Sequence, residues 1–228
     1  LGGRAMRVVQ NNEELDNYLE ILASADEDGN PFKSGPLLVD QFLTDTIEID
    51  VDLISDGKEV YIAGILEHLE PAGVHSGDST AVIPPYSVNE EMLKEVEEKS
   101  KKLALGLNVK GLLNIQFAIK DDTVYIIEAN PRASRTVPFI SKAYKQPYVN
   151  YATKIMLGKN KISDFKFESK LDGFAIKQPV FSFSKFPNVD KSLGPEMKST
   201  GESILFIDDL KDDDFYEIYS RRKMYLTK

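Results

Sequence analysis

The sequence predicts an α+β fold in which an antiparallel sheet is covered by helices. Alternating apolar runs are joined in pairs by short polar turns, a pattern typical of hairpins. Helical patterns come in blocks rather than after every strand, which disfavours a series of βαβ units. The chain has 228 residues, of which 42% are hydrophobic and 29% charged, so it resembles a globular protein in composition and can bury a large core.

The first half of the chain contains mainly strand patterns bounded by loop-forming residues. In order, it predicts a strand at 5–9, a helix capped by Asn12 and continuing to about Ala25, a loop at 26–31, a buried strand at 37–43, and strands at 47–54 and 60–66 joined by an Asp56-Gly57 turn. Residues 73–85 are rich in Gly, Ser and Pro and predict a loop.

The second half adds helices to a further hairpin. In order, it predicts a charged helix capped by Ser87 or Asn89 and ending near Leu105, two strands on either side of a turn at 121–123, helices at 136–146 and 148–157, strands at 174–177 and 203–207, and a final helix at about 209–226. The pattern weakens beyond Lys161.

The hairpin around the turn at 121–123 carries the strongest functional signal. If the loop has three residues, Gln116 lies opposite Glu128. Asn130 shares the face of Glu128, because side chains two residues apart on a strand point the same way. Two amides and a carboxylate form an all-oxygen ligand set suited to Mg²⁺ carrying a nucleotide phosphate. The alternative is a hydrogen-bonded polar ladder on an exposed face.

Two arginines follow this hairpin at the start of a predicted helix. Arg132 and Arg135 lie in the segment Asn-Pro-Arg-Ala-Ser-Arg-Thr. Guanidinium groups suit planar oxyanions and phosphate, so these residues are candidates for holding a transferred phosphoryl group. Surface arginines at a helix start are the alternative interpretation.

The strand at 47–54 alternates acidic and apolar residues. For Asp50 and Asp52 the simplest interpretation is a solvated sheet face. Glu48 follows the end of a predicted buried strand, where a carboxylate could accept hydrogen bonds from ribose hydroxyls.

The segment 73–79 combines two glycines, His75 and two serines. Glycines let backbone N–H groups approach an anion closely, and hydroxyl groups add donors. A flexible polar loop is the alternative, and the Gly-Lys-Ser/Thr ending of a P-loop is missing. His68, at the edge of a strand with acidic neighbours, is expected to be structural.

Bulk properties exclude several classes of function. The net charge of −9 argues against nucleic acid as a ligand, and the absence of cysteine excludes disulfides and thiolate sites. The sequence shows no apolar run near the roughly 20 residues of a membrane span and no signal peptide. We therefore expect a cytoplasmic protein with no membrane or nucleic-acid partner. The opening residues 1–6 suggest a chain cut from something longer.

Several segments together resemble the large subunit of carbamoyl-phosphate synthetase, an ATP-grasp family, and specifically its second, C-terminal synthetase half. The segments are Leu-Gly-Gly-Arg-Ala-Met (1–6), Glu-His-Leu-Glu-Pro-Ala-Gly-Val-His-Ser-Gly-Asp-Ser (67–79), Asn-Ile-Gln-Phe-Ala (114–118), Glu-Ala-Asn-Pro-Arg-Ala-Ser-Arg-Thr-Val-Pro-Phe (128–139) and Leu-Gly-Pro-Glu-Met-Lys-Ser-Thr-Gly-Glu (193–202). They occur in the family's order over nearly the whole chain.

The resemblance implies a role for each candidate residue. Those expected to bind the nucleotide are Arg4 at a phosphate, Gln41 and Leu43 at the adenine through backbone groups, Glu48 at the ribose, and Gly73, Val74, His75 and Ser76 as a loop against the nucleotide. Gln116 and Glu128 would bind one Mg²⁺ (or Mn²⁺), and Glu128 with Asn130 a second. Arg132 and Arg135 would hold carbamate or the transferring phosphate, and Asn130 is counted with them as catalytic.

The resemblance also implies an architecture and partners. Residues 1–160 would be a partial ATP-grasp domain that lacks its N-terminal part, and residues 161–228 a small C-terminal extension. The activity would be ATP-dependent phosphorylation of carbamate for pyrimidine and arginine biosynthesis, together with the rest of the large subunit and a glutamine amidotransferase small subunit. The isolated fragment is expected to be inactive.

Two alternatives and one departure accompany this interpretation. The chain could belong to another ATP-grasp carboxylate ligase of the biotin-carboxylase type, or be a non-catalytic fragment that binds a nucleotide or a partner. The segment 142–147 reads Lys-Ala-Tyr-Lys-Gln-Pro where the family usually has Lys-Ala-Thr-Gly-x-Pro. We expect a slightly altered turn there.

Overall fold

The computed structural model describes residues 6–24, 37–167, 170–186, 188–209 and 217. The chain divides into two compact units, one formed by residues 4–43 and the other by residues 1–3 with 44–228.

The unit 4–43 contains helix α1 (Asn12–Ser24). Asn11 Oδ1 accepts the backbone N–H of Glu14 at 2.9 Å, so Asn11, not Asn12, caps the helix. The strands predicted at 5–9 and 37–43 are wrong for the described residues, which are irregular there; Leu38 is 82% exposed. An apolar run forms a strand only where a neighbour takes up its backbone hydrogen bonds, and no described ladder includes these residues. The predicted loop at 26–31 lies outside the described residues.

The larger unit is built on a seven-stranded antiparallel sheet. Its strands are β1 (Ile47–Asp56), β2 (Val60–His68), β3 (Ala81–Ile83), β4 (Lys110–Lys120), β5 (Thr123–Asn130), β6 (Phe174–Val180) and β7 (Gly201–Ile207). In space they lie in the order β5-β4-β1-β2-β3-β6-β7.

Helices pack on both faces of this sheet. They are α2 (Glu90–Gly106), α3 (Val137–Ala143) and α4 (Tyr148–Met156), with short 3-10 helices at Ile162–Asp164 and Phe183–Lys185. Asn89 Oδ1 accepts the N–H of Met92 at 2.9 Å, so Asn89 is the cap of α2, while the Ser87 hydroxyl donates to Glu67. Among the residues that the structure describes, no helix combines the length and apolarity needed to cross a membrane.

The two faces of the sheet differ in how far their apolar cores extend. On one face Val51, Leu113 and Phe117 belong to a core with Val96 of α2. On the other face Ile54 and Leu112 join a core formed by residues of α3 and α4. Beyond these two residues the second face turns polar: Asp52 pairs with Asn114, and Asp50 pairs with Gln116. The candidate site lies on this polar part.

Two features differ from or extend the sequence prediction. Strand β3 lies within the predicted loop at 73–85. It has three residues between Thr80 and Pro84, which is too short for a periodic signal. Strands β6 and β7 continue the same sheet through β3, and the domain boundary near residue 160 stays a prediction. The predicted final helix at 209–226 lies outside the described residues except for 209 and 217.

Candidate active site

The β4–β5 hairpin has a two-residue turn. Lys120 pairs with Thr123, and the turn residues Asp121 and Asp122 have φ values of +48° and +56°. Two left-handed residues in succession are characteristic of a type I′ turn, whose twist matches that of the flanking strands. The predicted three-residue loop is therefore one residue too long.

A β-bulge restores the predicted pairing further along the hairpin. Phe117 pairs with Ile126, but the register shifts by one residue between Phe117 and Gln116, and Gln116 pairs with Glu128. A bulge places two residues of one strand opposite one residue of the other. The predicted register at Gln116 is confirmed, although the turn from which it was deduced is shorter than expected.

Glu128 and Asn130 lie on the edge strand β5, and Gln116 lies on the neighbouring strand β4; we call these three residues the edge ligand set. Asn130 Nδ2 donates to Glu128 Oε1 at 2.8 Å, and Glu128 is exposed. Because Asn130 uses its nitrogen in this bond, its amide oxygen remains as a potential ligand. Carboxylate and amide oxygens are the donors that Mg²⁺ accepts in proteins. The donor chemistry of the edge ligand set therefore fits a divalent cation.

The arginine loop, residues 131–136, follows β5 directly. The Arg132 backbone N–H donates to Asn130 O at 2.7 Å, and Arg132 Nη1 donates to Ala133 O at 3.2 Å. Arg135 Nη1 contacts Met197 Sδ. Both arginines are exposed and follow Asn130 by two and five residues in the chain, so an anion can reach them.

Glu48, Asp50 and His68, which we call the buried charge cluster, lie on the same sheet face near its centre. His68 Nδ1 is 3.3 Å from Glu48 Oε1, and His68 Nε2 is 3.5 Å from Asp50 Oδ2. All three side chains are buried. Burial lowers the pKa of His68, but the two carboxylates outweigh it and raise the pKa to about 9.

The expectation of a solvated face at Asp50 and Asp52 is wrong, since each is 1% exposed. The alternation of β1 shows which side chains share a face, but elements distant in the sequence cover that face. Burial, followed by the nearby Asp50 charge, raises the pKa of Asp52 to about 6, against the hydrogen bonds from Thr136, Ser134 and Asn114.

The buried charge cluster also has the geometry of a metal site, because its potential ligand atoms lie within 4.8 Å of one another. A metal-binding histidine must be neutral. With a pKa of about 9, His68 is charged at neutral pH and itself supplies the positive charge between the carboxylates. Glu48, Asp50 and His68 therefore form an ion network in this structure, and the structural role expected for His68 stays a prediction.

The segment 73–79 is held in place by hydrogen bonds to a distant segment. The His75 N–H donates to Gly194 O at 2.8 Å, and the Asp78 carboxylate accepts the N–H groups of Lys198 and Ser199, each at 2.8 Å. Gly73 has a φ of +99°, which favours glycine. Burial and then the charge of Arg135 lower the pKa of His75. These contacts do not fit the alternative of a flexible polar loop.

Comparison with known proteins places the chain in a family. The sequence model described as carbamoyl-phosphate synthase L chain, ATP binding domain, matches residues 1–162. The chain belongs to this family. The resemblance inferred from the motifs is confirmed.

Curated relatives have the same family name. The carbamoyl phosphate synthase large chain of Methanobrevibacter smithii is 55% identical over 208 residues, covering 90% of this chain and 19% of the relative. The C-terminal sections of that large chain from Aquifex aeolicus and Methanocaldococcus jannaschii are 48% and 46% identical, covering 89% and 98% of this chain and 40% and 36% of theirs. The chain thus spans about a fifth of the whole large chain, and under half of its C-terminal section.

Solved structures share the fold at low sequence identity. The biotin carboxylase-beta-gamma-ATP complex from Campylobacter jejuni matches with a TM-score of 0.69 and 16% identity, covering 96% of this chain and 54% of that chain. The biotin carboxylase domain of a single-chain bacterial carboxylase matches with a TM-score of 0.57 and 13% identity, covering 77% and 44%. The predicted α+β class and ATP-grasp fold are confirmed.

The structure gives no site geometry for three of the residues carried over from the family. Arg4 lies outside the described residues, and Gln41 and Leu43 lie in an irregular part of the unit 4–43. Their roles, like those of the other site residues, stay predictions.

Lys145 stands where the family usually has glycine. Its φ is +53°, a left-handed conformation that glycine adopts without steric cost. The turn before α4 is thus formed with a lysine in the conformation suited to glycine.

Sequence reasoning missed Asp52, Thr136 and Lys177. Lys177 is 2% exposed on β6, and its Nζ donates to the backbone oxygen of Ser76 at 2.7 Å. This hydrogen bond connects the segment 73–79 to the sheet. A lysine following Ala-Ile in a strand is the signal that could have found it. Asp52 and Thr136 had no such signal, because their partners are distant in the sequence.

Proposed function

We propose that this chain binds ATP and forms part of a carbamoyl-phosphate synthetase that phosphorylates carbamate to carbamoyl phosphate, a step serving pyrimidine and arginine biosynthesis. The observation that supports the proposal best is the edge ligand set: Gln116 faces Glu128, and Asn130 is bonded to Glu128. Phosphoryl transfer depends mainly on positioning and charge neutralisation, for which this arrangement is suited.

The edge ligand set would hold Mg²⁺ (or Mn²⁺) through the oxygens of Gln116, Glu128 and Asn130. A divalent cation there neutralises phosphate charge when bound. Arg132 and Arg135 would hold carbamate and the transferring phosphoryl group. A carbamate oxygen attacks the γ-phosphorus of ATP. The bond between that phosphorus and the β–γ bridging oxygen breaks, so ADP leaves.

The remaining residues would bind the nucleotide itself. The proposed contacts are Arg4 with a phosphate, Gln41 and Leu43 with adenine, Glu48 with ribose, and Gly73, Val74, His75 and Ser76 with the nucleotide. For Glu48, ribose binding would compete with its ion pair to His68. The proposed setting is the cytoplasm, with the rest of the large chain and a glutamine-hydrolysing small subunit.

The proposal is tested by Glu128→Gln in the full-length large chain carrying this sequence. The assay measures ATP formed from carbamoyl phosphate and ADP, with Mg²⁺ titrated. We expect a loss of at least about 100-fold in turnover, because a carboxylate shared between two cations is replaced by a neutral amide. Near-normal ATP formation in the variant would refute the ligand assignment.

Glu98→Gln is the matched control, since Glu98 is exposed on α2, which packs on the opposite face of the sheet. It removes the same charge and should leave turnover unchanged. ATP formation only with another acyl phosphate would favour a different ATP-grasp carboxylate ligase. Nucleotide binding without any phosphoryl transfer would favour a non-catalytic binding role.

A further inference from the structure

Asp52 connects two parts of the candidate site that are far apart in the sequence. Asn114 Nδ2, on strand β4, donates to Asp52 Oδ1 at 3.2 Å. Thr136 Oγ1, at the end of the arginine loop, donates to Asp52 Oδ2. Each carboxylate oxygen therefore holds a different element.

The Thr136 side chain contacts Asp52 and does not cap the helix that follows it. It is the N-cap residue of α3, yet its side chain makes no capping hydrogen bond. A threonine at this position normally accepts a backbone N–H of the first helical turn. Here Ser134 Oγ takes that place, because it accepts the N–H groups of Thr136 and Val137, both at 3.2 Å. The Thr136 hydroxyl therefore donates to Asp52 instead of capping the helix.

The anchoring residues lie next to both arginines. Ser134 Oγ is 2.7 Å from Thr136 Oγ1, and Ser134 lies between Arg132 and Arg135 in the chain. Thr136 is 2% exposed, whereas both arginines are exposed. The loop is therefore held at its buried end, while its two arginines are exposed.

A role in stability alone does not explain a carboxylate at this position. Burial and the adjacent Asp50 raise the pKa of Asp52 to about 6, which means that its ionised form destabilises the fold relative to its protonated form. An asparagine of the same shape would avoid that cost but would have a single acceptor oxygen for the donors Asn114, Thr136 and Ser134. Residues that lower stability are expected where function requires them.

We propose that Asp52 and Thr136 form a positioning anchor that sets the distance between the arginine loop and the metal-binding strand β4. The proposal rests on the proposed function, because it assigns the anchor to the same phosphoryl-transfer site. Asp52 and Thr136 are positioning residues: they act on the substrate through Arg132 and Arg135.

Three variants test the anchor: Thr136→Val removes the hydroxyl at nearly constant shape, Thr136→Ser retains it, and Asp52→Asn removes one acceptor. Amide hydrogen exchange of residues 134–137 is measured first, since it does not depend on any activity. We expect Thr136→Val and Asp52→Asn to exchange about 10-fold faster there, and Thr136→Ser to match the unsubstituted protein. Equal exchange in all four proteins would overturn the anchor.

ATP formation from carbamoyl phosphate and ADP in the full-length large chain tests the link to function. Thr136→Val and Asp52→Asn should lower kcat about 10- to 100-fold with KM for ADP nearly unchanged. The reason is that displaced arginines would lose contacts that they make in the transition state. Thr136→Ser should restore kcat. If the unsubstituted protein forms no ATP, the proposed function fails while the exchange result still decides the anchor.

Asp52→Asn also separates positioning from plain structural support. At pH 7.5 we expect its thermal midpoint to rise while its kcat falls, since the charge that destabilises the fold is removed together with the anchor. A purely structural role predicts that both quantities fall together, and that result would overturn the proposal.

Discussion

The buried charge cluster and the edge ligand set lie on the same sheet face but differ in how their polar groups are satisfied. Glu48 and Asp50 are excluded from water and compensated by His68. Glu128 is exposed and bonded to Asn130 through one carboxylate oxygen. Similar side chains therefore serve different purposes, because one group has a protein counter-charge and the other has room for a ligand.

This difference separates stability from function in a way that can be measured. Removing the cation from a buried cluster leaves uncompensated charge, which is costly. Removing an exposed carboxylate changes little in the folded protein but takes away a ligand. The cluster should therefore control unfolding, and the edge ligand set should control nucleotide and metal binding.

The largest effect is expected for His68→Leu. It removes the cation that lies between two buried carboxylates and should lower the free energy of unfolding by about 3–5 kcal/mol, measured by urea denaturation. Glu128→Gln should change it by less than about 0.5 kcal/mol. Adding Glu48→Gln to His68→Leu should recover part of the loss. Equal destabilisation by His68→Leu and Glu128→Gln would remove the distinction between the two regions.

The second effect is the pH dependence of the buried charge cluster. The pKa of His68 is raised from 6.5 to about 9, so its stabilisation is fully present below pH 6.5 and is lost as the pH rises through 9. At about 1.4 kcal/mol per pKa unit, this loss amounts to up to about 3 kcal/mol. Denaturation of the unsubstituted protein and of His68→Leu at each pH isolates the contribution of His68. The difference between their free energies of unfolding should shrink between pH 6.5 and 9. A constant difference would contradict the assignment.

The smallest effect is expected at Lys145, which belongs to neither region. Its substitution measures how much a change in backbone strain alone alters stability, for comparison with the effects in the two regions. Lys145→Gly removes a left-handed strain of about 1–2 kcal/mol but adds freedom to the unfolded chain, for a net gain of about 0.5–1 kcal/mol. Lys142→Gly, within α3, is the matched control and should lower stability by about 1 kcal/mol. Calorimetry distinguishes the two signs, and a loss at both positions would refute the strain.

The hairpin shows how far sequence reasoning reached. The pairing of Gln116 with Glu128 could be predicted because strands alternate with a period of two, so a register near the turn propagates along them. The deduction succeeded because two omissions cancelled: the turn is one residue shorter, and the bulge shifts the register by one. Bulges depend on twist and on neighbouring strands, for which the local sequence has no reliable signal.

The acidic residues of β1 show a property that the sequence did not predict, namely the burial of their face. Their alternation correctly placed Glu48, Asp50 and Asp52 on one face, but the nature of that face was not readable from β1. His68, Thr136 and Asn114 belong to β2, the arginine loop and β4, and they contact the acidic residues of β1 on this buried face.

The sequence alone determined the class of fold, the order of the polar donors along the chain, and the family, because these depend on periodicity and on short motifs. Only the tertiary structure decided which carboxylates are buried and paired, which one is exposed, and which residue anchors the arginine loop. Those properties arise from contacts between segments 20 to 84 residues apart, from the His68–Glu48 pair to the Thr136–Asp52 bond, and burial and charge compensation exist only once such segments meet.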